Sequence, residues 1–320
     1  MNKYLVIMFI ICGFIISGCT SSPNTQKNNQ FTVYTSLYPI QYAVERIAGK
    51  TVETKSVYPP GVDAHTYEPA AKEITAIAEG DAFIYLGAGM EAFAETTAQA
   101  LKSQDVRLIE LGKHDELFHN EEIHDSHEET EAEHHGHDHG DVNPHIWLDP
   151  LRMIEMASLI KEELISMRPE NKQFYEQNFS TLKNDLLALD QQFIETLKPK
   201  NDKRILVSHA AYSYWEDRYG IEQIAISGIS SSNEPSQKDL TRIIEAAKRY
   251  NMNYLILEQN SSDRVTEIIR QEIDARALYI HNLSVLTEED IRDDENYLSL
   301  MRHNLSVLDT ATEQEGTANE

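Results

Sequence analysis

Cysteine is almost absent from this 320-residue sequence, which contains only Cys12 and Cys19. Both lie in or directly after an apolar run at the amino terminus, so the rest of the chain has no thiol. A disulfide and a thiolate-bound metal are therefore excluded from the folded part of the protein. Any site there for a soft or borderline metal ion has to use histidine, with carboxylates as the other common ligands.

Basic residues are also scarce. The sequence has 28 Lys and Arg against 53 Asp and Glu, which gives a formal net charge of −25. Nucleic-acid binding requires a basic surface, so this composition argues against a nucleic-acid partner. A strongly acidic chain favours a cationic ligand instead.

The amino terminus has the features of a secretory signal. Met1-Asn2-Lys3 is a short basic start, residues 5–16 are apolar, and Ile16-Ser17-Gly18-Cys19 follows. An apolar run of about a dozen residues is too short to span a membrane as a mature helix. The small residues before Cys19 resemble the lipobox of bacterial lipoproteins, in which the cysteine is diacylated. We expect residues 1–18 to be a signal peptide, Cys19 to anchor the protein to the lipid bilayer, and residues 19–30 to be a tether.

The remaining sequence predicts an α/β fold with two lobes, at residues 31–168 and 199–312. Strand-like runs alternate with helical runs in each lobe, which is typical of parallel sheets built from βαβ units. The predicted strands are residues 31–37, 53–58, 82–87, 106–111, 203–208, 221–226, 253–258 and 277–281. The predicted helices are residues 39–48, 69–79, 91–101, 150–167, 211–219, 236–249, 261–273 and 295–308. We expect residues 313–320 to be a disordered tail.

One long helix is predicted between the two lobes. Apolar side chains recur mostly at intervals of three and four residues through residues 170–197, which places them on one face of a helix about 40 Å long. These side chains are Phe174, Phe179, Leu182, Leu186, Leu189, Phe193 and Leu197. We therefore expect residues 169–198 to be a rigid backbone helix that joins two four-stranded parallel sheets, each flanked by helices.

Residues 114–141 hold 8 of the 13 histidines and 11 acidic residues, with no Lys or Arg. No apolar period runs through this segment, so a mobile loop is expected. Imidazole and carboxylate groups bind divalent metals, so the loop is expected to collect them, although a solvated acidic insertion would have a similar composition. The histidines of the loop are His114, His119, His124, His127, His134, His135, His137 and His139.

Three other histidines lie where a doubly wound sheet binds its ligands. His65 is in the turn after the second predicted strand, and His209 directly follows the first strand of the second lobe. Because ligands bind at the carboxyl ends of such strands, we expect these two side chains to face one crevice. His145 precedes a helix and reaches the same crevice if its loop folds back. His281, at the end of the last strand, is a fourth candidate.

The segments around these histidines resemble the zinc-uptake substrate-binding lipoproteins of bacterial ABC transporters. The matching motifs are GVDAHTYEP at 61–69, LGAGME at 86–91, NPHIWLDP at 143–150, SHAAY at 208–212 and EPS at 234–236. The resemblance covers residues 31–309, and NPHIWLDP together with SHAAY is its most diagnostic part. It implies two α/β lobes, a linking helix, a membrane permease as partner, and one metal ion held between the lobes by His65, His145 and His209.

Zinc is the metal that this ligand set favours. Three imidazoles suit tetrahedral Zn²⁺, whereas Mn²⁺ prefers oxygen ligands. Many Gram-positive relatives have a glutamate after the last strand, where this sequence has Ser284. We therefore expect water as the fourth ligand, with His281 or Glu68 as alternatives. The expected function is that of a monomeric, lipid-anchored extracytoplasmic receptor that delivers Zn²⁺ to an ABC permease. A receptor for manganese or another divalent metal is the alternative.

Two other classes of protein share parts of this pattern. Three histidines and a water also form the ligand set of a catalytic zinc, as in a zinc hydrolase. The sequence has no HExxH motif, and its three histidines are spread over two lobes, which argues against an enzyme.

Residues 87–92 fit the GxGxxA dinucleotide-binding pattern, with Glu110 about 20 residues later. They follow the third strand rather than the first, however, and Glu91 would face a pyrophosphate.

Overall fold

The computed structural model describes residues 30–118, 142–230, 235–259 and 264–313. The predicted signal peptide, Cys19, nearly all of the tether, and the loop histidines from His119 to His139 lie outside the described residues. So does the predicted tail apart from Glu313. Within the described part of the chain, no helix has the length and apolar character needed to cross a membrane.

The N-terminal half is built on a four-stranded parallel sheet. Its strands are β1 (Thr32–Thr35), β2 (Glu53–Ser56), β3 (Ala82–Tyr85) and β4 (Arg107–Glu110), in the order β2-β1-β3-β4. The helices α1 (Tyr38–Ala48), α2 (Ala71–Ala78) and α3 (Ala94–Leu101) connect successive strands. Because the strand order changes direction between β1 and β3, a ligand crevice is expected at the carboxyl ends of these strands.

Two long helices follow. The first, α4 (Pro150–Met167), begins as predicted, because Pro150 occupies its first turn and the Asp149 side chain accepts a hydrogen bond from the Leu151 amide. The second, α5 (Lys172–Leu197), has 26 residues, and a separate 3₁₀ turn, Pro169–Asn171, precedes it. Phe174 was predicted on the apolar face of this helix but is 44% exposed, and its ring lies beside Gly49.

The C-terminal half repeats the topology of the first. The strands β5 (Arg204–His209), β6 (Glu222–Ser227), β7 (Tyr254–Glu258) and β8 (Arg276–Ile280) are parallel, in the order β6-β5-β7-β8. The helices are α6 (Ser213–Tyr219), α7 (Gln237–Arg249), α8 (Arg264–Glu272), α9 (Glu288–Arg292) and α10 (Tyr297–Ala311). The prediction of an α/β fold with two four-stranded parallel sheets and one long helix between them is confirmed.

Helix α5 is bonded to helices from both halves. Arg46 on α1 forms an ion pair of 2.6 Å with Asp185 of α5. Farther along, the buried carboxylate of Asp190 accepts hydrogen bonds from Arg218 and from the Tyr219 hydroxyl. Polar contacts therefore fix both halves against the same helix.

One hydrophobic core is shared by the two halves. It extends from Val33 on β1 to Leu308 on α10, and a smaller cluster lies within the C-terminal half, around Leu206 and Ile243. Two buried hydrogen bonds join the turn before α4 to C-terminal helices. The Tyr297 hydroxyl donates to the Trp147 carbonyl at 2.6 Å, and the Trp215 ring nitrogen donates to the Leu148 carbonyl at 2.6 Å.

Candidate metal centre

Three of the predicted site residues meet in one place. One ring nitrogen from each of His65, His145 and His209 lies within 4.8 Å of the others. The Nε2 atom of His145 is 3.3 Å from that of His65 and 3.5 Å from that of His209. Tetrahedral ligands at about 2.0–2.1 Å from Zn²⁺ are themselves about 3.3 Å apart. Both nitrogen pairs that include His145 therefore have the spacing that one tetrahedral ion requires.

Each histidine comes from a different part of the fold. His209 is the last residue of β5, so its side chain is placed by the regular geometry of the sheet. His65 lies in the turn after β2, where its amide donates to the Asp63 carboxylate at 2.8 Å. His145 immediately precedes the 3₁₀ turn Ile146–Leu148. The N-terminal half thus supplies two imidazoles and the C-terminal half supplies one.

Two hydrogen bonds orient the buried imidazoles. The Nδ1 atom of His145 lies 2.7 Å from the amide oxygen of Asn143, and that of His209 lies 2.5 Å from a carboxylate oxygen of Glu258. The Asn143 amide nitrogen donates to the Ala210 carbonyl at 2.9 Å, which assigns the oxygen to the His145 side. Because both partners accept, each Nδ1 carries a proton and each Nε2 presents a lone pair.

The electrostatic surroundings differ among the three rings. Burial, with the neighbouring His209 and His65, holds the pKa of His145 well below its usual range, and burial with His209 also lowers that of His65. Burial opposes the charged form of His209 too, but the Glu258 carboxylate outweighs it and raises the pKa of His209. At neutral pH, His65 and His145 are therefore uncharged imidazoles, and His209 is the one of the three that most readily holds a proton.

The structure places the other candidate ligands outside this group. His281 is buried, but its Nδ1 accepts from the Leu283 amide at 2.9 Å and its Nε2 donates to Asp290 at 3.1 Å. Glu68 is exposed and does not join the three histidines. His114, the one predicted loop histidine among the described residues, is partly exposed and lies beside Glu116.

Ser284 is buried, but its hydroxyl is already engaged. It donates to the side-chain oxygen of Asn282 at 2.8 Å, and the Ser284 amide donates to the same oxygen at 3.0 Å. The described residues thus supply three histidine nitrogens to the group and no fourth side chain. This arrangement is compatible with the predicted water as the fourth ligand.

The backbone amides at the start of the glycine-rich turn at residues 87–92 are already hydrogen-bonded. The buried carboxylate of Glu91 accepts hydrogen bonds from the amides of Leu86 and Gly87, at 2.9 and 2.8 Å, and from the Ser36 hydroxyl. A pyrophosphate bound at such a turn would need those amides. The turn is therefore held by the chain's own carboxylate, and Gly87 adopts a φ of 75° to make it.

Asn143 and Glu258 were not predicted as site residues. Asn143 lies two residues before His145 in the same motif, so it could have been inferred from a search for a partner of that ring. Glu258 is the last residue of β7, which pairs with β5. The strand order β6-β5-β7-β8 places Glu258 at the same sheet edge as His209. The sequence alone does not give this order, so it does not show that the two residues are neighbours.

Comparisons with known proteins agree on one family. A family model described as zinc-uptake complex component A, periplasmic, matches residues 33–311. The zinc-binding lipoprotein AdcA of Streptococcus pneumoniae is 30% identical over 321 residues, which cover 100% of this chain and 63% of AdcA. The high-affinity zinc uptake system protein ZnuA of Bacillus subtilis is 26% identical over 289 residues, which cover 88% of this chain and 90% of that protein.

A solved structure shows the same likeness. The Zn(II)-bound ZnuA-like domain of S. pneumoniae AdcA is 28% identical and superimposes with a TM-score of 0.71, covering 89% of this chain and 100% of that domain. The present chain spans 63% of the length of the curated S. pneumoniae AdcA that it matches. The similarity therefore concerns one part of that longer protein.

Proposed function

We propose that this chain, which belongs to the family of periplasmic zinc-uptake complex A components, is an extracytoplasmic receptor that binds one Zn²⁺ and delivers it to an ABC permease. The match to the family model confirms, at the level of the family, the resemblance inferred from the sequence motifs. The observation that carries the proposal is the convergence of three histidine nitrogens within 4.8 Å. The names of AdcA and ZnuA, which refer to zinc, support the choice of metal.

The geometry supports binding with little rearrangement. His65, His145 and His209 would supply three neutral nitrogen ligands, and water would complete the tetrahedron. Because the pKa values of His65 and His145 are lowered, neither ring has to release a proton at neutral pH when zinc arrives. The proposed role is binding and release of the ion rather than catalysis.

Delivery requires a permease partner and a position outside the cytoplasm. We propose that diacylated Cys19 holds the receptor at the cell membrane as a monomer, with residues 19–30 as its tether. Two acyl chains suffice for stable anchoring, since each buried CH₂ contributes about 0.8 kcal/mol. The net charge of −25 would raise the local concentration of cations around the protein.

The metal preference tests the proposal. We expect one tight Zn²⁺ per chain and Mn²⁺ binding weaker by at least about a hundredfold, because three nitrogens and no carboxylate disfavour the harder ion. The measurement is a competition titration of purified mature protein with a chelator of known affinity for both ions. Equal affinities for Mn²⁺ and Zn²⁺ would instead support the manganese alternative, and no tight site for either ion would contradict the receptor function.

The predicted metal-collecting loop can be tested separately. Deleting residues 119–139 should leave the tight site within about threefold of its original affinity, because all three nitrogens of the proposed site belong to described residues outside the deletion. The same deletion should remove weaker sites, which calorimetry would count as a lower total stoichiometry. Loss of the tight site would show that the loop supplies a ligand.

A further inference from the structure

Glu258 is a buried carboxylate that is hydrogen-bonded to one histidine of the candidate metal centre. One oxygen is 2.5 Å from Nδ1 of His209 and accepts a hydrogen bond from the Tyr212 hydroxyl at 3.1 Å. The other accepts from the Asn282 side chain at 2.6 Å. Glu258 is only 8% exposed, and a buried carboxylate is costly unless it is paired and hydrogen-bonded. The fold thus retains a costly charge directly behind one proposed ligand.

Asn282 connects that carboxylate to the other half of the protein. Its side-chain nitrogen donates to Glu258, and its backbone carbonyl accepts from the Trp147 ring nitrogen at 2.8 Å. Trp147 lies two residues after His145, in the 3₁₀ turn that this histidine begins. Asn282 is therefore hydrogen-bonded both to Glu258, which contacts His209, and to Trp147, which lies in the turn after His145. These two proposed ligands come from opposite halves of the chain.

The orientation of the Asn282 amide is fixed by its neighbours. Its oxygen accepts hydrogen bonds from the Gln259 side chain at 2.9 Å and from the amide and hydroxyl of Ser284. With three donors on the oxygen, the amide nitrogen has to face Glu258. The Glu258 carboxylate is held in turn, and its hydrogen bond with His209 forms only when Nδ1 of that ring carries a proton.

We propose that Glu258 and Asn282 are positioning residues of the metal centre. Glu258 holds His209 in the tautomer that presents Nε2 to the ion. Asn282 fixes the position of Glu258 relative to the turn that follows His145, because it is hydrogen-bonded to both. The proposal deepens the zinc-receptor function and rests on it. Partners behind metal-bound histidines typically change metal affinity by about 10–100-fold when they are removed.

Substitutions of Glu258 separate charge from hydrogen bonding. Glu258→Gln keeps an oxygen that can accept from Nδ1 of His209 but removes the charge, and Glu258→Leu removes both. We expect zinc affinity to fall about tenfold in Glu258→Gln and about a hundredfold in Glu258→Leu, and about tenfold in Asn282→Ala. Glu222→Gln, at the exposed start of neighbouring β6, is the matched control and should bind as the wild type does.

A readout on the metal-free protein distinguishes positioning from general destabilisation. Long-range ¹H–¹⁵N correlation spectra of histidine-labelled protein at alkaline pH report which ring nitrogen carries the proton, and the His209→Asn spectrum assigns the signal. We expect Nδ1–H in the wild type and in Glu258→Gln, and a mixture of tautomers in Glu258→Leu. Thermal melting shows whether each variant is folded.

The outcomes separate this proposal from the receptor function itself. If the wild type binds zinc tightly but Glu258→Leu has the same affinity as Glu222→Gln, or keeps a pure Nδ1–H tautomer while it loses affinity, Glu258 is not a positioning residue. If the wild type does not bind zinc tightly, the receptor function fails, and the tautomer measurement still tests the hydrogen bond. If Glu258→Leu does not fold, the graded pair Glu258→Gln and Asn282→Ala decides by affinity and by tautomer.

Discussion

Replacing His145 with alanine is expected to lower the affinity for Zn²⁺ by at least about a hundredfold. Structural zinc sites bind with about 10–16 kcal/mol, so one of four ligands is worth roughly 3 kcal/mol. His145 is the central residue of the group, since its Nε2 lies within 3.5 Å of the other two. Removing it leaves two imidazoles that come from opposite halves. Competition with a zinc chelator measures the loss directly.

The control for His145→Ala is His303→Ala. His303 is an exposed histidine on α10 whose Nε2 contacts the Tyr279 carbonyl at 3.0 Å, away from the three converging nitrogens. We expect no change in zinc affinity in this variant. His145 is buried, so the melting temperature of the metal-free His145→Ala protein has to be recorded as well. A folded His145→Ala protein that binds within about threefold of the wild type would show that this ring does not hold the ion.

Zinc affinity is expected to fall about tenfold for each pH unit below the pKa of His209. The ion needs the lone pair on Nε2, which protonation removes, so affinity is complete above that pKa and declines below it. Because Glu258 raises this pKa above the usual value near 6.5, the decline begins at a higher pH than an ordinary histidine would cause. Because the pKa values of His65 and His145 are lowered, protons compete with zinc for these two rings only in more acidic solution.

The proton count distinguishes this pattern from three equivalent histidines. Below the pKa of His209 but above those of His65 and His145, the slope of log affinity against pH should be near one, and it should approach three only in more acidic solution. Calorimetry in two buffers with different ionisation enthalpies gives the number of protons released per zinc bound. A slope of three that sets in at once below pH 6.5 would contradict the assigned pKa directions.

The regular elements of the fold were largely predictable, and the differences have local causes. Residues 31–37 were predicted as a strand, but β1 spans only Thr32–Thr35, and Ser36 donates its hydroxyl to Glu91 shortly before α1 begins at Tyr38. The five-residue helix α9 was not predicted because it is too short to show an apolar period. Its start is set by Thr287, whose side chain accepts from the Asp290 amide.

The three converging histidines could be predicted from the sequence, but Glu258, which orients His209, could not. His65 and His209 follow predicted strands, and parallel topology alone brings such positions to one edge. His145 required the family motif, since its turn is held by contacts such as the hydrogen bond from Trp147 to Asn282, 135 residues away. Glu258 reaches His209 only because β7 pairs with β5, and pairing order is a property of the folded sheet rather than of either strand.

The hydrophobic core shared by both halves has a consequence for the lifetime of the protein. Since side chains from β1 to α10 pack together, the halves are expected to lose their structure in one cooperative step. An ion that binds only the folded chain shifts this equilibrium by about 4 kcal/mol when its free concentration is a thousandfold above Kd. Proteases attack mainly the unfolded population. Metal-bound molecules would therefore be degraded more slowly than metal-free ones, and the abundance of the protein would follow the supply of metal.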